Sequence, residues 1–393
     1  MTTIKLEIFS MAHFRHTLDV IERGMTGGNE GLSHGLSRIS YFVPGVQKGN
    51  IYLIGGVTGS GKSALAMDMF ACNPYDDYLL RSTTSPENPI KLKIFIWSLE
   101  ISPEILLAKM ICRKMFLQHG ILTDINYILS RGKNRVSAEI YDLVKSYAHY
   151  YEEFEDRVII NGADNPTGIR NTLLEYLKAH GNIEEKIITI KNRNHDTGEI
   201  TESNRPIFGR YKPDHDNTYI IVIVDHVNIL KKEQRFSKKE TVDKLMEYMM
   251  DMSNKYKITP IIVQQLNRNI ELVDRMKMSS IEPQISDFKE TSDSTDAAHF
   301  IFGMSYPQRW EIGSYRGYDL TKLGNRFRGL KLLKNRDGNA DVLVGLKFLG
   351  EIGTFKELPP GKEMSEQDYI NIQSITKSYD HSITNNSIRV QAN

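Results

Sequence analysis

Short apolar runs alternate with longer amphipathic stretches along most of the chain. From residue 49 onward, the apolar run IYLI precedes the amphipathic SALAMDMF, and KIFIWSLE precedes PEILLAKMICRKMF. Apolar runs of about four to eight residues are typical of buried strands, whereas longer periodic stretches predict helices. Further along, YIIVIVD predicts a central strand, residues 239–257 a helix and residues 259–264 another strand. This alternation predicts an α/β fold in which helices flank a mainly parallel central sheet.

Three segments depart from this alternation. Residues 1–40 hold one predicted helix and a connector rich in glycine and serine, which is too little for a domain. Residues 182–218 are polar and predict an inserted hairpin that turns at Asp196-Thr197-Gly198. Residues 361–393 are polar, and we expect them to form a loosely ordered tail. The sequence therefore predicts one α/β domain over residues 41–360, enlarged by an insertion.

Two helices have recognisable ends in the sequence. The first, over residues 11–23, is ended by a glycine pair. The second begins after Asn165, a favoured capping residue, with Pro166 at its first position and Gly181 just past its end.

Charge and composition narrow the classes of function. Lys and Arg total 50 and Asp and Glu total 49, a net charge of +1 that argues against a strongly basic nucleic-acid binder. The two cysteines have no metal-binding spacing, so neither a disulfide framework nor a zinc site is expected. No apolar run approaches the ~18 residues that span a membrane, and the first residues lack the apolar core of a signal peptide. We expect a cytoplasmic protein that does not enter a membrane.

The most specific motif is GVTGSGKS, at residues 56–63, which fits the pattern GxxxxGK[ST]. Its glycines let backbone N–H groups surround phosphates, and the following helix directs its positive end at them. Lys62 is expected to contact the β- and γ-phosphates, and the hydroxyl of Ser63 to ligate Mg²⁺. The predicted nucleotide-binding residues are Gly56, Thr58, Gly59, Ser60, Gly61, Lys62 and Ser63.

Two acidic residues end neighbouring predicted strands. Asp225 closes YIIVIVD, where a carboxylate can hold Mg²⁺ beside the phosphates. Glu100 closes KIFIWSLE and could orient the water that attacks the phosphate. It could equally be an acid at the start of the next helix, where negative charge favours the helix dipole. Spacing alone does not separate these two interpretations of Glu100.

The order of these motifs resembles the RecA-like motor domain of DnaB-type replicative helicases, hexameric ATPases that move on single-stranded DNA. The resemblance runs from about residue 31 to residue 358 and leaves the insertion unmatched. WSLEIS is similar to the family's SLEM motif and VIVDHVNIL to its second nucleotide motif. These matches imply that Glu100 is the catalytic glutamate and that Asp225 binds Mg²⁺. TPIIVQQLNR is similar to the SQLNR motif, which implies that Gln265 senses the γ-phosphate.

Two later segments resemble motifs that act outside the chain's own ATP site. SDFKETSDSTDAAHFIF is similar to the family's SDLRES segment, which implies that Lys289, Glu290 and Ser292 contact DNA. LLKNRDGN is similar to KQRNG, which implies that Lys334 and Arg336 enter the neighbouring subunit's ATP site, with Arg336 as an arginine finger. Without the resemblance, these residues would be interpreted as solvated charges on surface loops.

Basic residues are concentrated late in the chain, which changes the meaning of the neutral total. Seven basic residues and one acidic residue between Arg316 and Arg336 give a local net charge of +6. We expect this stretch to follow a DNA backbone and include Arg326 and Arg328 among the predicted DNA contacts. A second basic loop, KKEQRFSKK, follows Asp225, although a solvated surface remains the alternative for it.

Taken together, the resemblance implies an ATP- and Mg²⁺-dependent DNA helicase that forms a ring, moves on single-stranded DNA and unwinds the duplex. The implied partners are DNA at a replication fork, further copies of this chain in a hexamer, and a primase or helicase loader. Residues 1–40 are too few for the family's primase-binding domain and could supply a linker helix that docks on the adjacent motor domain. A RecA-type recombinase or single-strand-binding filament, and a regulatory ATPase that does not act on DNA, would share the same ATP site.

Overall fold

The computed structural model describes residues 10–87, 89–131, 133, 135–193, 200–267, 270, 275, 281–288 and 292–374. The helices are α1 (Ser10–Met25), α2 (Ser37–Ser40), α3 (Lys62–Met67), α4 (Asn73–Thr84), α5 (Pro103–His119), α6 (Ile125–Ile128), α7 (Ala138–Ser146), α8 (Ala148–Arg157), α9 (Pro166–Ala179), α10 (Lys238–Tyr256), α11 (Ser292–Ala297), α12 (Leu320–Leu323) and α13 (residues 366–374). A π-helical turn, Asp68–Cys72, joins α3 to α4. In this part of the chain, no helix combines the length and the apolar character needed to cross a membrane.

The central sheet has nine strands in the described part of the chain. The strands, in chain order, are β1 (Tyr52–Gly56), β2 (Lys91–Ser98), β3 (Val158–Asn161), β4 (Gly181–Arg193), β5 (Ile200–Pro213), β6 (Thr218–Asp225), β7 (Thr259–Gln265), β8 (Phe300–Ser305), β9 (Ser314–Tyr315), β10 (Tyr318–Asp319), β11 (Phe327–Asn335), β12 (Val342–Leu349) and β13 (Thr354–Glu357). The sheet order is β13-β12-β11-β8-β1-β7-β6-β2-β3, while β4 pairs with β5 and β9 with β10 in two small separate sheets. The six strands from β8 to β3 run parallel, and β11, β12 and β13 extend the sheet in antiparallel fashion.

Both faces of the sheet are buried, which explains why its parallel strands read as continuous apolar runs. In β6, Ile221 and Ile223 pack in one core with residues of α3, α4 and α5, while Val222 and Val224 pack in the other core with α9 and α10. Each such side chain contributes roughly 1.5–3 kcal/mol on burial. The predicted α/β fold with a mainly parallel sheet and flanking helices is confirmed.

The helix ends follow the chemistry of the sequence. The Asn165 side chain accepts a hydrogen bond from the backbone N–H of Gly168 at 2.8 Å, so it caps α9 as predicted. The predicted helix over residues 11–23 lies within α1.

The predicted insertion is a hairpin of β4 and β5 that stands apart from the central sheet. Its base is attached to the domain through Tyr211, whose hydroxyl donates to the carbonyl of Leu177 at 3.2 Å, and through Phe208, whose ring meets that of Tyr256. The predicted turn at residues 196–198 lies outside the described residues.

The expectation of a loosely ordered tail is wrong for residues 366–374, which form α13. Tyr369 and Ile372 are buried against Tyr318 and Leu320. The Tyr369 hydroxyl also accepts a hydrogen bond from the backbone N–H of Asp319 at 3.0 Å. These two apolar side chains are three residues apart, so they lie on the face of α13 that docks on the domain.

Candidate nucleotide-binding and DNA-binding site

The loop GVTGSGKS lies between β1 and α3, at the edge of the sheet where the parallel strands end. Gly59 and Gly61 have φ angles of 79° and 94°, a region that side chains with a Cβ rarely adopt. A Cβ on Gly61 would also lie 3.2 Å from ring atoms of Phe348 and Phe355. The Ser60 hydroxyl is buried against Gly56 and makes no hydrogen bond within the described chain. The loop thus has the glycine backbone conformations that a phosphate-binding turn requires.

The two oxygen ligands predicted for Mg²⁺ lie together. The Ser63 hydroxyl donates to Oδ1 of Asp225 at 2.9 Å. Burial raises the pKa of Asp225, against the hydrogen bond from Ser63 and the nearby charge of Lys62. Burial lowers the pKa of Lys62, which the charges of Asp225 and Glu100 oppose. Hydroxyl and carboxylate oxygens are the ligands that Mg²⁺ prefers, so this pair fits the metal.

Glu100 lies beside the same pair, because β2 and β6 are hydrogen-bonded and Ser98 is level with Asp225. Its side chain is 57% exposed, and its Oε1 is 3.3 Å from Nε2 of His226. Helix α5 begins at Pro103, and the acid in its first turn is Glu104. Glu100 therefore lies outside the first turn of α5, and it is close enough for its charge to act on Lys62 and Asp225.

Gln265 ends β7 next to the phosphate loop. Its Nε2 donates to the Thr58 hydroxyl at 2.8 Å, and its backbone N–H donates to Oδ1 of Asn228 at 3.2 Å. The side chain is therefore held against the phosphate loop.

Two arginines hold carbonyls of the phosphate loop. Arg328 donates through Nε to the carbonyl of Ser60 at 2.7 Å and through Nη2 to that of Gly59 at 3.3 Å. Arg309 donates to the carbonyl of Thr58 at 2.8 Å. Sequence reasoning missed both contacts, and no sequence signal links PQRW, which holds Arg309, to a loop about 250 residues away.

The expectation that Arg328 lies on a DNA-facing surface is wrong. The residue is 4% exposed, and its guanidinium lies 3.6 Å from the centre of the Tyr306 ring. Burial lowers its pKa to about 10. Arg328 therefore supports the phosphate loop from inside the domain, through the carbonyls of Gly59 and Ser60.

The stretch from Arg316 to Arg336 is less basic in the folded chain than its local charge of +6 indicates, because acidic residues from elsewhere in the chain pair with it. Ion pairs join Arg316 and Lys331 to Glu282, Lys322 to Glu366, and Arg326 to Glu351. Arg326, a predicted DNA contact, is thus engaged with Glu351. The local charge of +6 counted only neighbours in sequence.

Lys334 and Arg336 lie at the opposite edge of the sheet from the phosphate loop. The backbone N–H of Arg336 donates to the carbonyl of His299. His299 directly precedes Phe300, the residue of β8 that is level with Tyr52 at the start of β1. The loop begins at the other end of β1, which at ~3.3 Å per residue is roughly 15 Å away. Both cations instead donate to carbonyls at the end of α11, Lys334 to Thr295 and Arg336 to Asp296.

The predicted DNA-contact segment is only partly described. Lys289 and Glu290 lie outside the described residues, and Ser292 is the first residue of α11.

Comparisons with known proteins agree with this geometry. Residues 167–357 match the family model described as the DnaB-like helicase C terminal domain. The fold is similar to a solved structure whose title describes an ATPase domain, with 15% identity and a TM-score of 0.61 over 90% of this chain and 100% of that one. It is equally similar to one titled "The Structure Of A DnaB-Like Replicative Helicase And Its Interactions With Primase", with the same identity and TM-score over 90% of this chain and 68% of that one. No curated protein matches the sequence. Residues 167–357 are therefore similar to the DnaB-like helicase C terminal domain family, and the chain shares the RecA-like fold of the solved ATPase domains that it matches.

Proposed function

We propose that this chain is an ATP- and Mg²⁺-dependent DNA helicase that works as a ring, with ATP bound between adjacent subunits. The observation that carries the proposal is the separation of Arg336 from the phosphate loop of its own subunit, roughly 15 Å along β1. If Arg336 acts as an arginine finger, it must therefore act on an ATP site that another subunit presents to it.

In the proposed mechanism, one subunit supplies the phosphate loop and the water-activating group. Lys62 neutralises the β- and γ-phosphates, and Ser63 and Asp225 hold the metal. When bound there, Mg²⁺ would supply positive charge to offset the negative charge that develops on the phosphates. Glu100 accepts the proton of the attacking water, a role that its exposure at the end of β2 supports.

The adjacent subunit supplies the cations that complete the site. Lys334 lies near the end of β11 and Arg336 directly follows the strand, and both donate to carbonyls at the end of α11, so the two cations lie close together. We propose that Arg336 stabilises the charge on the transferred phosphoryl group and that Lys334 assists it.

DNA contact is proposed for the segment that joins β7 to α11. Gln265 lies against the phosphate loop, and the chain then leads to Lys289, Glu290 and Ser292, the predicted contact positions. A change at the γ-phosphate would reach this segment through Gln265, the last residue of β7.

Ring assembly is proposed to use α1. Four of its apolar residues are exposed and follow a helical spacing of four, three and four: Phe14, Leu18, Ile21 and Met25. Such a stripe lies on one face of the helix. We propose that it packs on the motor domain of the next subunit. We also propose a primase or helicase loader as a partner, because one of the similar solved structures is a helicase whose title names primase.

The test combines two inactive variants. Arg336→Ala keeps the phosphate loop and Glu100→Gln keeps the cations, so a mixed ring should regain DNA-stimulated ATP hydrolysis that neither variant has alone. Arg336→Ala by itself should bind a fluorescent ATP analogue normally and hydrolyse ATP about 10³-fold more slowly. Arg316→Ala, an exposed arginine paired with Glu282, is the matched control.

Four outcomes would contradict the proposal. Near-normal hydrolysis by Arg336→Ala, or no recovery on mixing, would exclude the shared ATP site. Hydrolysis that is insensitive to single-stranded DNA would favour a regulatory ATPase. Strand exchange without unwinding of a forked duplex would favour a recombinase.

A further inference from the structure

Gln264 and Gln265 are adjacent residues at the end of β7, so their side chains point to opposite faces of the sheet. Gln265 contacts the phosphate loop through Thr58. Gln264 is 2% exposed and points away from the loop, into the segment that leads to α11. Its Nε2 donates to the carbonyl of Phe288 at 3.3 Å, and its Oε1 accepts from the Ser294 hydroxyl at 3.3 Å.

Helix α11 has only six residues, and both of its ends are held by polar contacts. Ser294, near its start, is fully buried and bonded to Gln264. The carbonyls of Thr295 and Asp296, near its end, accept from Lys334 and Arg336. Cations are favourable at a helix C-terminus, where carbonyls lack intrahelical partners. A helix this short is expected to move as one body, so a shift at Ser294 is also a shift of the acceptors that hold the two cations.

We propose that Gln264 is a positioning residue that couples the nucleotide state of its own subunit to the placement of Lys334 and Arg336 in the neighbour's ATP site. The inference rests on the proposed function, because it takes the two cations to act in the adjacent subunit. The contacts run from Thr58 through Gln265 to Gln264, and from there through α11 to Arg336.

The hydrogen bonds of Gln264 make the connection between β7 and α11 resistant to displacement. Both polar atoms of the Gln264 amide have partners in a buried setting, where hydrogen bonds are strong and a lost partner is costly. A displacement of the end of β7 is therefore passed to α11, because absorbing it locally would break a buried hydrogen bond. Hydrolysis in one subunit would then withdraw or present the cations that the next site needs.

A mixing experiment separates this role from a merely structural one. The donor chain carries Glu100→Gln, so it binds ATP and presents the cations without hydrolysing. The recipient chain carries Arg336→Ala, so it hydrolyses only with the donor's cations. We place Gln264→Met, which keeps the side-chain length and removes both hydrogen bonds, in either the donor or the recipient.

The expected result is asymmetric. With Gln264→Met in the donor, the restored hydrolysis should fall at least fivefold. With the same substitution in the recipient, it should stay within twofold. Ser294→Ala in the donor breaks the link from its other side and should reproduce the loss. Gln367→Met, on α13, is the control for the substitution itself.

Ring assembly and ATP-analogue binding are measured for every mixture, and they identify a donor that does not fold. If the Gln264→Met donor does not fold, hydrolysis restored by the Ser294→Ala donor decides whether the connection exists. Equal losses in donor and recipient, or no loss in the donor, would overturn the role of Gln264 while leaving the shared ATP site intact. No recovery even with unmodified Gln264 would overturn both this inference and the proposed function.

Discussion

Replacing Arg328 tests whether a buried cation determines the shape of the phosphate loop. Arg328→Met keeps much of the apolar volume and removes four hydrogen bonds to carbonyls, which belong to Gly59, Ser60, Asn325 and Phe327. The carbonyls of Gly59 and Ser60 belong to the same peptide groups as the N–H groups of Ser60 and Gly61, in the loop that is predicted to surround phosphate. Without the guanidinium, these peptide groups lose the donor that fixes their carbonyls.

The size of the effect follows from two opposing terms. Hydrogen bonds to a charged group contribute about 1.5–3 kcal/mol each, whereas removing a buried cation relieves a desolvation cost of several kcal/mol. We expect a net loss of about 2 kcal/mol in the free energy of unfolding. Disorder of the loop should weaken ATP binding about 10- to 100-fold, which corresponds to roughly 1.4–2.8 kcal/mol.

The assay pairs urea unfolding with titration of a fluorescent ATP analogue. Arg316→Met is the matched control, because that side chain is 60% exposed and its ion pair should contribute only about 0–1 kcal/mol. If Arg328→Met binds the analogue as the wild type does and unfolds like Arg316→Met, the guanidinium does not shape the loop.

Three further predictions concern stability and assembly. Burial lowers the pKa of His34 below its ordinary 6.5, so the unfolded chain binds a proton more readily than the folded chain does. The urea midpoint should therefore fall as the pH drops below 6.5, and His34→Gln should make the midpoint depend less on pH. Asp68→Asn should cost about 3 kcal/mol in urea unfolding, because it leaves the buried Arg113 with one carboxylate fewer, whereas the exposed Asp142→Asn should cost little. Leu18→Glu should shift the protein from rings to smaller species by mass photometry; unchanged assembly would remove α1 from the proposed interface.

The sequence was most informative where chemistry is local. The phosphate loop, the strands around it and the cap of α9 depend on residues close together in the chain, and the structure has them where the pattern predicted. The pairing of Ser63 with Asp225 follows from parallel strands that end at one edge of a sheet. The roles of Gln265 and Arg336 came from family resemblance alone and stay predictions.

The sequence was least informative about contacts between distant segments. A charge count over residues 316–336 does not include Glu282, Glu351 and Glu366, which are distant in sequence and pair with the basic residues of that stretch. Nor does composition distinguish a buried arginine from an exposed one, so Arg328 was assigned to the wrong surface. The docking of α13 depends on a surface that exists only after the rest of the chain has folded.

The distance between the two edges of the sheet also affects how the protein behaves on dilution. If the phosphate loop and Arg336 cannot meet within one subunit, then ATP hydrolysis requires two subunits in contact. Specific activity should then fall steeply below the concentration at which subunits associate, while ATP binding by single subunits persists. Local concentration would thus act as an on-switch for the motor, and isolated chains would hold ATP without consuming it.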